Sequence, residues 1–182
     1  MKVILVYNSK SGFTKRYADW IAEETDCDVK PYRDFEQMDI GAEDIVIFGS
    51  RVHAGRIEHL NKVKARMGRH PKQNFIVFAT GATPAVAEDA VQKIWDSNFS
   101  ETERQSIPHF YMQSGLDYQK MGFVDRMLMK MVAKLMSKKK GTLSQDKSDE
   151  ETGFAQAIQD SYDISSKEYV MPLVTYVNEK AR

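Results

Sequence analysis

Val3-Ile4-Leu5-Val6-Tyr7-Asn8-Ser9-Lys10-Ser11-Gly12-Phe13-Thr14 runs from an apolar, β-branched pentad into a hydroxyl-rich turn. Beyond it, Tyr17, Ala18, Trp20, Ile21 and Ala22 recur at helical spacing, which predicts a helix from about Thr14 to Thr25. A strand, a polar turn and a helix in that order form the first half of a βαβ unit. The turn also has a chemistry. Backbone N–H groups at the head of a helix face the positive end of its dipole, the hydroxyls of Ser9, Ser11 and Thr14 add donors, and Gly12 lets a ligand approach the main chain. With Lys10 and Phe13 between them, residues 9–14 suit a phosphate and require no metal. No Gly-Lys-Ser/Thr occurs here and no set of three spaced glycines, so nucleoside triphosphate hydrolysis and classical dinucleotide binding lose support.

Working outward, strand-like and helix-like stretches alternate, the pattern of a parallel sheet covered on both faces. Cys27 to Tyr32 supplies a second strand; Ile45-Val46-Ile47-Phe48 and Phe75-Ile76-Val77-Phe78-Ala79 are continuous apolar runs expected of strands buried on both sides; His109 to Met112 supplies a fifth. Ile57, Leu60, Val63 and Met67 mark one crossover helix and Pro84 to Trp95 another, opened by its proline. After Ser165 and Ser166 a capped closing helix is expected, interrupted at Pro172.

The 182 residues fit one domain. Lys plus Arg equals Asp plus Glu at 26 each, so no global field favours nucleic acid. The single cysteine, Cys27, excludes an internal disulfide and a multi-cysteine zinc site and fits a reducing, cytoplasmic setting. No window reaches the roughly 20 apolar residues of a membrane span.

The spacing Ser9-x-Ser11-Gly12-x-Thr14 resembles the phosphate loop of the flavodoxin family, Ser/Thr-x-Ser/Thr-Gly-x-Thr after the first strand. The resemblance extends to the order of strands and helices. It implies a flavodoxin-like three-layer α/β sandwich on a five-stranded parallel sheet, with FMN beyond the carboxyl ends of the strands at the topological switch. It also implies two loops on the isoalloxazine ring, here Gly49-Ser50-Arg51-Val52-His53-Ala54-Gly55 and Ala79-Thr80-Gly81-Ala82-Thr83. His53 is the candidate for proton transfer, against the plain alternative of a solvated loop histidine, and Arg51 or Arg56 for holding an anion.

Two stretches exceed a minimal five-strand unit: a Met-rich one from Tyr118 to Lys140 and a polar one from Gly141 to Gly153, together an insertion over 118–153. From Gly122 to Lys140, Val124, Met127, Leu128, Met131, Val132 and Leu135 form an apolar stripe, with Arg126, Lys130, Lys134 and Lys138 recurring every four residues beside it. Such a helix covers a core or meets anionic lipid or an acidic, greasy ligand. Leu116, Tyr118, Asp125 and Arg126 resemble the menaquinone-dependent protoporphyrinogen IX dehydrogenases, flavodoxin-like enzymes of haem biosynthesis. That resemblance implies an FMN oxidoreductase that oxidises a tetrapyrrole and passes electrons to membrane quinone, peripheral at the inner face of the membrane. Arg126, Lys130 and Lys134 are then the expected substrate or lipid contacts. An electron-shuttling flavodoxin and a flavin-free scaffold are the competing expectations.

Overall fold

Alternate residues of the apolar runs face opposite ways, and this divides the core in two. In the computed structural model, which describes residues 1–117 and 161–180, strand β1 (Val3–Asn8) pairs in parallel with β2 (Asp28–Pro31) on one side and β3 (Ile45–His53) on the other. β5 (Asn74–Gly81) and β6 (His109–Gln113) continue the parallel sheet in the order β2-β1-β3-β5-β6. A two-residue strand, β4 (Arg56–Ile57), pairs antiparallel with the end of β3.

Val46 and Phe48 of β3 and Val77 and Ala79 of β5 point to the face covered by α2 (Leu60–Met67) and α3 (Glu88–Asn98). Ile45, Ile47, Ile76 and Phe78 point to the other, covered by α1 (Phe13–Thr25) and the closing helix. Burial on both faces is why these strands read as unbroken apolar runs instead of alternating ones. Emptying one such site costs roughly 2–5 kcal/mol, whereas an exposed ion pair such as Lys15–Asp19 contributes at most about 1 kcal/mol. The two cores therefore hold the fold.

Several boundaries differ from the sequence expectation. β3 runs on to His53, because Val52 pairs with Ile57 and His53 with Arg56 across a two-residue turn at Ala54 and Gly55. Both turn residues have positive φ, 48° and 77°, the backbone that a tight hairpin between right-twisted strands demands. The helix expected from Pro84 begins only at Glu88, since Pro84 instead opens a turn closed by Ala87 N–H on its carbonyl at 3.0 Å. A short helix, α4 (Glu101–Ser106), follows, held by a reciprocal capping box between Ser100 and Glu103.

At the C-terminal end, Ser166 caps a 3-10 turn over Lys167–Val170 that leads into α5 (Met171–Lys180). Pro172 does not interrupt this helix. It lies in the first turn, where its missing N–H has no partner to lose.

The chain divides into two compact units, residues 1–114 with 165–182, and residues 115–164. The sheet and its helices belong to the first. In the second, Leu116 and Tyr162 form an antiparallel bridge with both N–H···O bonds at 2.9 Å. The expected Met-rich helix of residues 122–140, with Arg126, Lys130 and Lys134, and the polar stretch of residues 141–153 lie outside the described residues.

Candidate functional site

Strand register brings the sequence candidates to one edge. Asn8 at the end of β1 lies beside Ser50 of β3, Ser50 beside Ala79 and Arg51 beside Thr80 of β5, and Gly81 beside Gln113 of β6. The turn of residues 9–12 therefore stands over the same end of the sheet as both other candidate segments.

Within that turn Gly12 sits at φ 100°, a backbone that L residues rarely adopt, with open space where a Cβ would project. Its N–H donates to Ser9 Oγ at 3.2 Å, and its carbonyl accepts the first intrahelical bond, from Arg16 N–H at 3.0 Å. Among the described residues, no side chain caps the helix at Gly12. The first-turn amides of Phe13, Thr14 and Lys15 precede that bond and point out of the helix end, along the positive pole of its dipole. The sequence offers the Thr14 hydroxyl to the phosphate. Thr14 is 1% exposed, and its hydroxyl shares a 2.8 Å hydrogen bond with that of Thr80, also 1% exposed. The pair locks the start of α1 to the end of β5.

The segment expected as a loop from Gly49 to Gly55 is strand and hairpin. Gly49 is buried against the Phe78 ring: a Cβ there would fall 1.9 Å from Phe78 Cζ, so the position demands a bare backbone for close packing. Ser50 is buried and accepts from Asn8 Nδ2 at 3.1 Å. Arg51 meets Glu58 across the hairpin in a two-pronged ion pair, Nε to Oε2 at 2.8 Å and Nη2 to Oε1 at 2.5 Å. Asn8 Nδ2 donates to the same Glu58 carboxylate at 3.1 Å. Burial pushes the Glu58 carboxyl up, but the hydrogen bond and charge of Arg51, the Asn8 amide and the positive influence of His53 outweigh it and hold the group below its usual range. His53 itself ends β3, half-buried and opposite Arg56.

The hairpin is also gripped from α3. The buried Asn98 accepts from Ile57 N–H at 2.9 Å and donates to the Gly55 carbonyl at 2.8 Å and the Ile94 carbonyl at 2.7 Å. Arg56 reaches the carbonyl of Ser97. The Thr80–Thr83 segment is fixed in the same way: Tyr111 Oη donates to the Thr83 carbonyl at 2.9 Å, Ser114 N–H to the Gly81 carbonyl at 2.8 Å, and Ala85 N–H to Gln113 Oε1 at 2.8 Å. Asn8, Glu58, Asn98, Tyr111 and Gln113 were not singled out from sequence. Only Glu58 had a local signal, since the Ala54-Gly55 turn sets residues 51 and 58 across from each other.

A family model described as a flavodoxin domain matches residues 4–143, more than three quarters of the chain. The chain belongs to the flavodoxin domain family. Among solved structures, this flavodoxin-domain chain is similar to a flavoprotein in complex with FMN from Lactobacillus acidophilus NCFM, at 17% identity over 62% of this chain and 91% of that one, TM-score 0.43. It is likewise similar to a WrbA-like flavodoxin protein from Agrobacterium tumefaciens, at 16% identity over 68% and 87%, TM-score 0.40. A third likeness is the Trp repressor binding protein of Bacillus subtilis, at 15% identity over 60% and 83%, TM-score 0.40. No curated protein matches the chain. Among the described residues, no helix of this flavodoxin-domain chain is long and apolar enough to cross a membrane.

Proposed function

We propose that the chain binds FMN at the carboxyl edge of its sheet and works in flavin redox chemistry. The observation that carries this reading is the helix head: Gly12 in a left-handed backbone, no side-chain cap among the described residues, and first-turn amides directed outward, set over the ends of β3 and β5. These residues fit a phosphate monoester. The amides of residues 13–15 with the Ser9, Lys10 and Ser11 side chains would hold it, and the segments Ser50–Gly55 and Thr80–Thr83 would line the ring. FMN, when bound, supplies reversible acceptance of a hydride or of single electrons. The chain's own contribution is a rigid rim, with the hairpin held by Asn98 and the β5 segment by Tyr111 and Gln113, so that little ordering remains to be done on binding. His53, at the end of β3, is the proposed proton-transfer residue of this rim.

Titration of the purified chain with FMN and with riboflavin tests the reading. Two charge-assisted bonds to the phosphate at about 1.5–3 kcal/mol each make FMN tighter by roughly a hundredfold or more. A colourless protein that takes up no FMN, or one that binds riboflavin equally well, rejects it.

A finer reading is oxidation of protoporphyrinogen IX with electrons delivered to a quinone, with Arg126, Lys130 and Lys134 toward substrate or an anionic membrane surface. Its support is the sequence resemblance around Leu116 to Arg126 and the basic row beside the Met stripe. Flavin-loaded protein reduced anaerobically, then mixed with a menaquinone analogue, should reoxidise rapidly, and protoporphyrin fluorescence should grow when the tetrapyrrole is supplied. Rapid exchange with a one-electron protein partner and no tetrapyrrole oxidation would instead indicate an electron shuttle.

A further inference from the structure

Glu58 belongs to neither flavin-facing segment, yet it joins them to the phosphate turn. Its two carboxylate oxygens take both prongs of Arg51 at 2.8 and 2.5 Å, and one also takes Asn8 Nδ2 at 3.1 Å. Asn8 immediately precedes the turn of residues 9–12, and Arg51 lies in register with Thr80, whose hydroxyl holds Thr14. Arg51 and Glu58 are 23% and 27% exposed, sheltered enough that solvent screens the pair incompletely. The fork-on-carboxylate geometry fixes the guanidinium and cancels most of its charge at the rim.

We propose that Glu58 is a positioning residue that holds and neutralises Arg51 beside the flavin ring, and so sets the balance between oxidised and reduced FMN. This rests on the FMN reading above. Two-electron reduction adds negative charge to the ring, so an uncompensated guanidinium nearby favours the reduced form, and a compensating carboxylate withdraws that advantage. The carboxyl remains ionised across the neutral range because Arg51 and Asn8 outweigh the cost of its burial.

The experiment is a spectroelectrochemical titration of the FMN-loaded full chain, wild type against Glu58→Gln and Arg51→Gln, with thermal denaturation of each. In Glu58→Gln the preference for reduced over oxidised FMN should rise by about tenfold, which for a two-electron couple is about 30 mV upward. Arg51→Gln leaves the carboxylate alone and should move the potential the opposite way. Together, the double variant should return close to wild type. Opposite signs are a signature of charge that a packing role does not produce. If FMN binds and Glu58→Gln leaves the potential unchanged, or if both single variants shift it the same way, this proposal is overturned while the FMN reading stands. A wild-type chain that takes up no FMN overturns both.

Discussion

Thr14 and Thr80, 66 residues apart in the chain, share one buried hydrogen bond of 2.8 Å between their hydroxyls. Removing one partner strands the other in a site closed to water, at a cost of about 1–3 kcal/mol, whereas removing both with shape retained is close to neutral. Thr80→Val should therefore lower stability by that amount in urea denaturation, and Thr14→Val/Thr80→Val should recover most of it. Additive losses in the double variant would show that the two hydroxyls are not each other's main partner.

Gly49 faces Phe78 so closely that a methyl group would meet three ring atoms within 2.5 Å. Overpacking of this kind costs typically 1–3 kcal/mol and sometimes more. Gly49→Ala should melt well below wild type, and Phe78→Leu in the same chain should restore part of the loss by opening space. A Gly49→Ala protein as stable as wild type would contradict the packing.

Ala54 is a non-glycine residue at φ 48°, in a turn that favours asparagine or glycine. An L residue with an unbranched apolar side chain sits there at a cost of about 1 kcal/mol. Ala54→Asn should raise stability by about 0.5–1 kcal/mol, read as a higher midpoint in urea at unchanged slope.

Glu58 gives the acid side of the stability curve its shape. Its carboxyl is held below the ordinary 4.5 in the folded chain by Arg51, Asn8 and His53 against burial, so the unfolded chain binds a proton first as pH falls. The stabilisation is fully present above about pH 4.5 and is lost as pH drops through the lower folded value. Denaturation midpoints measured from pH 7 to pH 3 should fall less steeply in Glu58→Gln than in wild type. Parallel acid limbs would mean that the carboxyl titrates alike in both states.

What could be read in advance was whatever a short window determines. β1, the hydroxyl-rich turn and α1 were legible because apolar burial on two faces, a glycine at the helix head and 3.6-residue spacing are all local. The strand ending expected at Phe48 was not, because Gly49 looks like a terminator until Phe78 is seen to occupy its empty side. Pro84 misled in the opposite sense, starting a turn that Gln113, far along the chain, completes through Ala85. The capping box of Ser100 and Glu103 is local too, a Ser-x-x-Glu spacing at the head of α4. The rim itself was half legible. Its strand ends could be aligned, but the partners of Arg51, Thr14 and the hairpin come from Glu58, Thr80 and Asn98, pairings that only the register of β3 against its neighbours decides.

The face of the sheet carrying Val3, Leu5 and Ile47 is roofed in part by Val170, Leu173, Val174 and Val177, which the ribosome delivers long after the strands they cover. A nascent chain released before that point would present half a greasy surface to its surroundings, a state in which unrelated chains stick. Biosynthesis of this protein thus has a vulnerable interval whose length is set by the number of residues between β6 and α5.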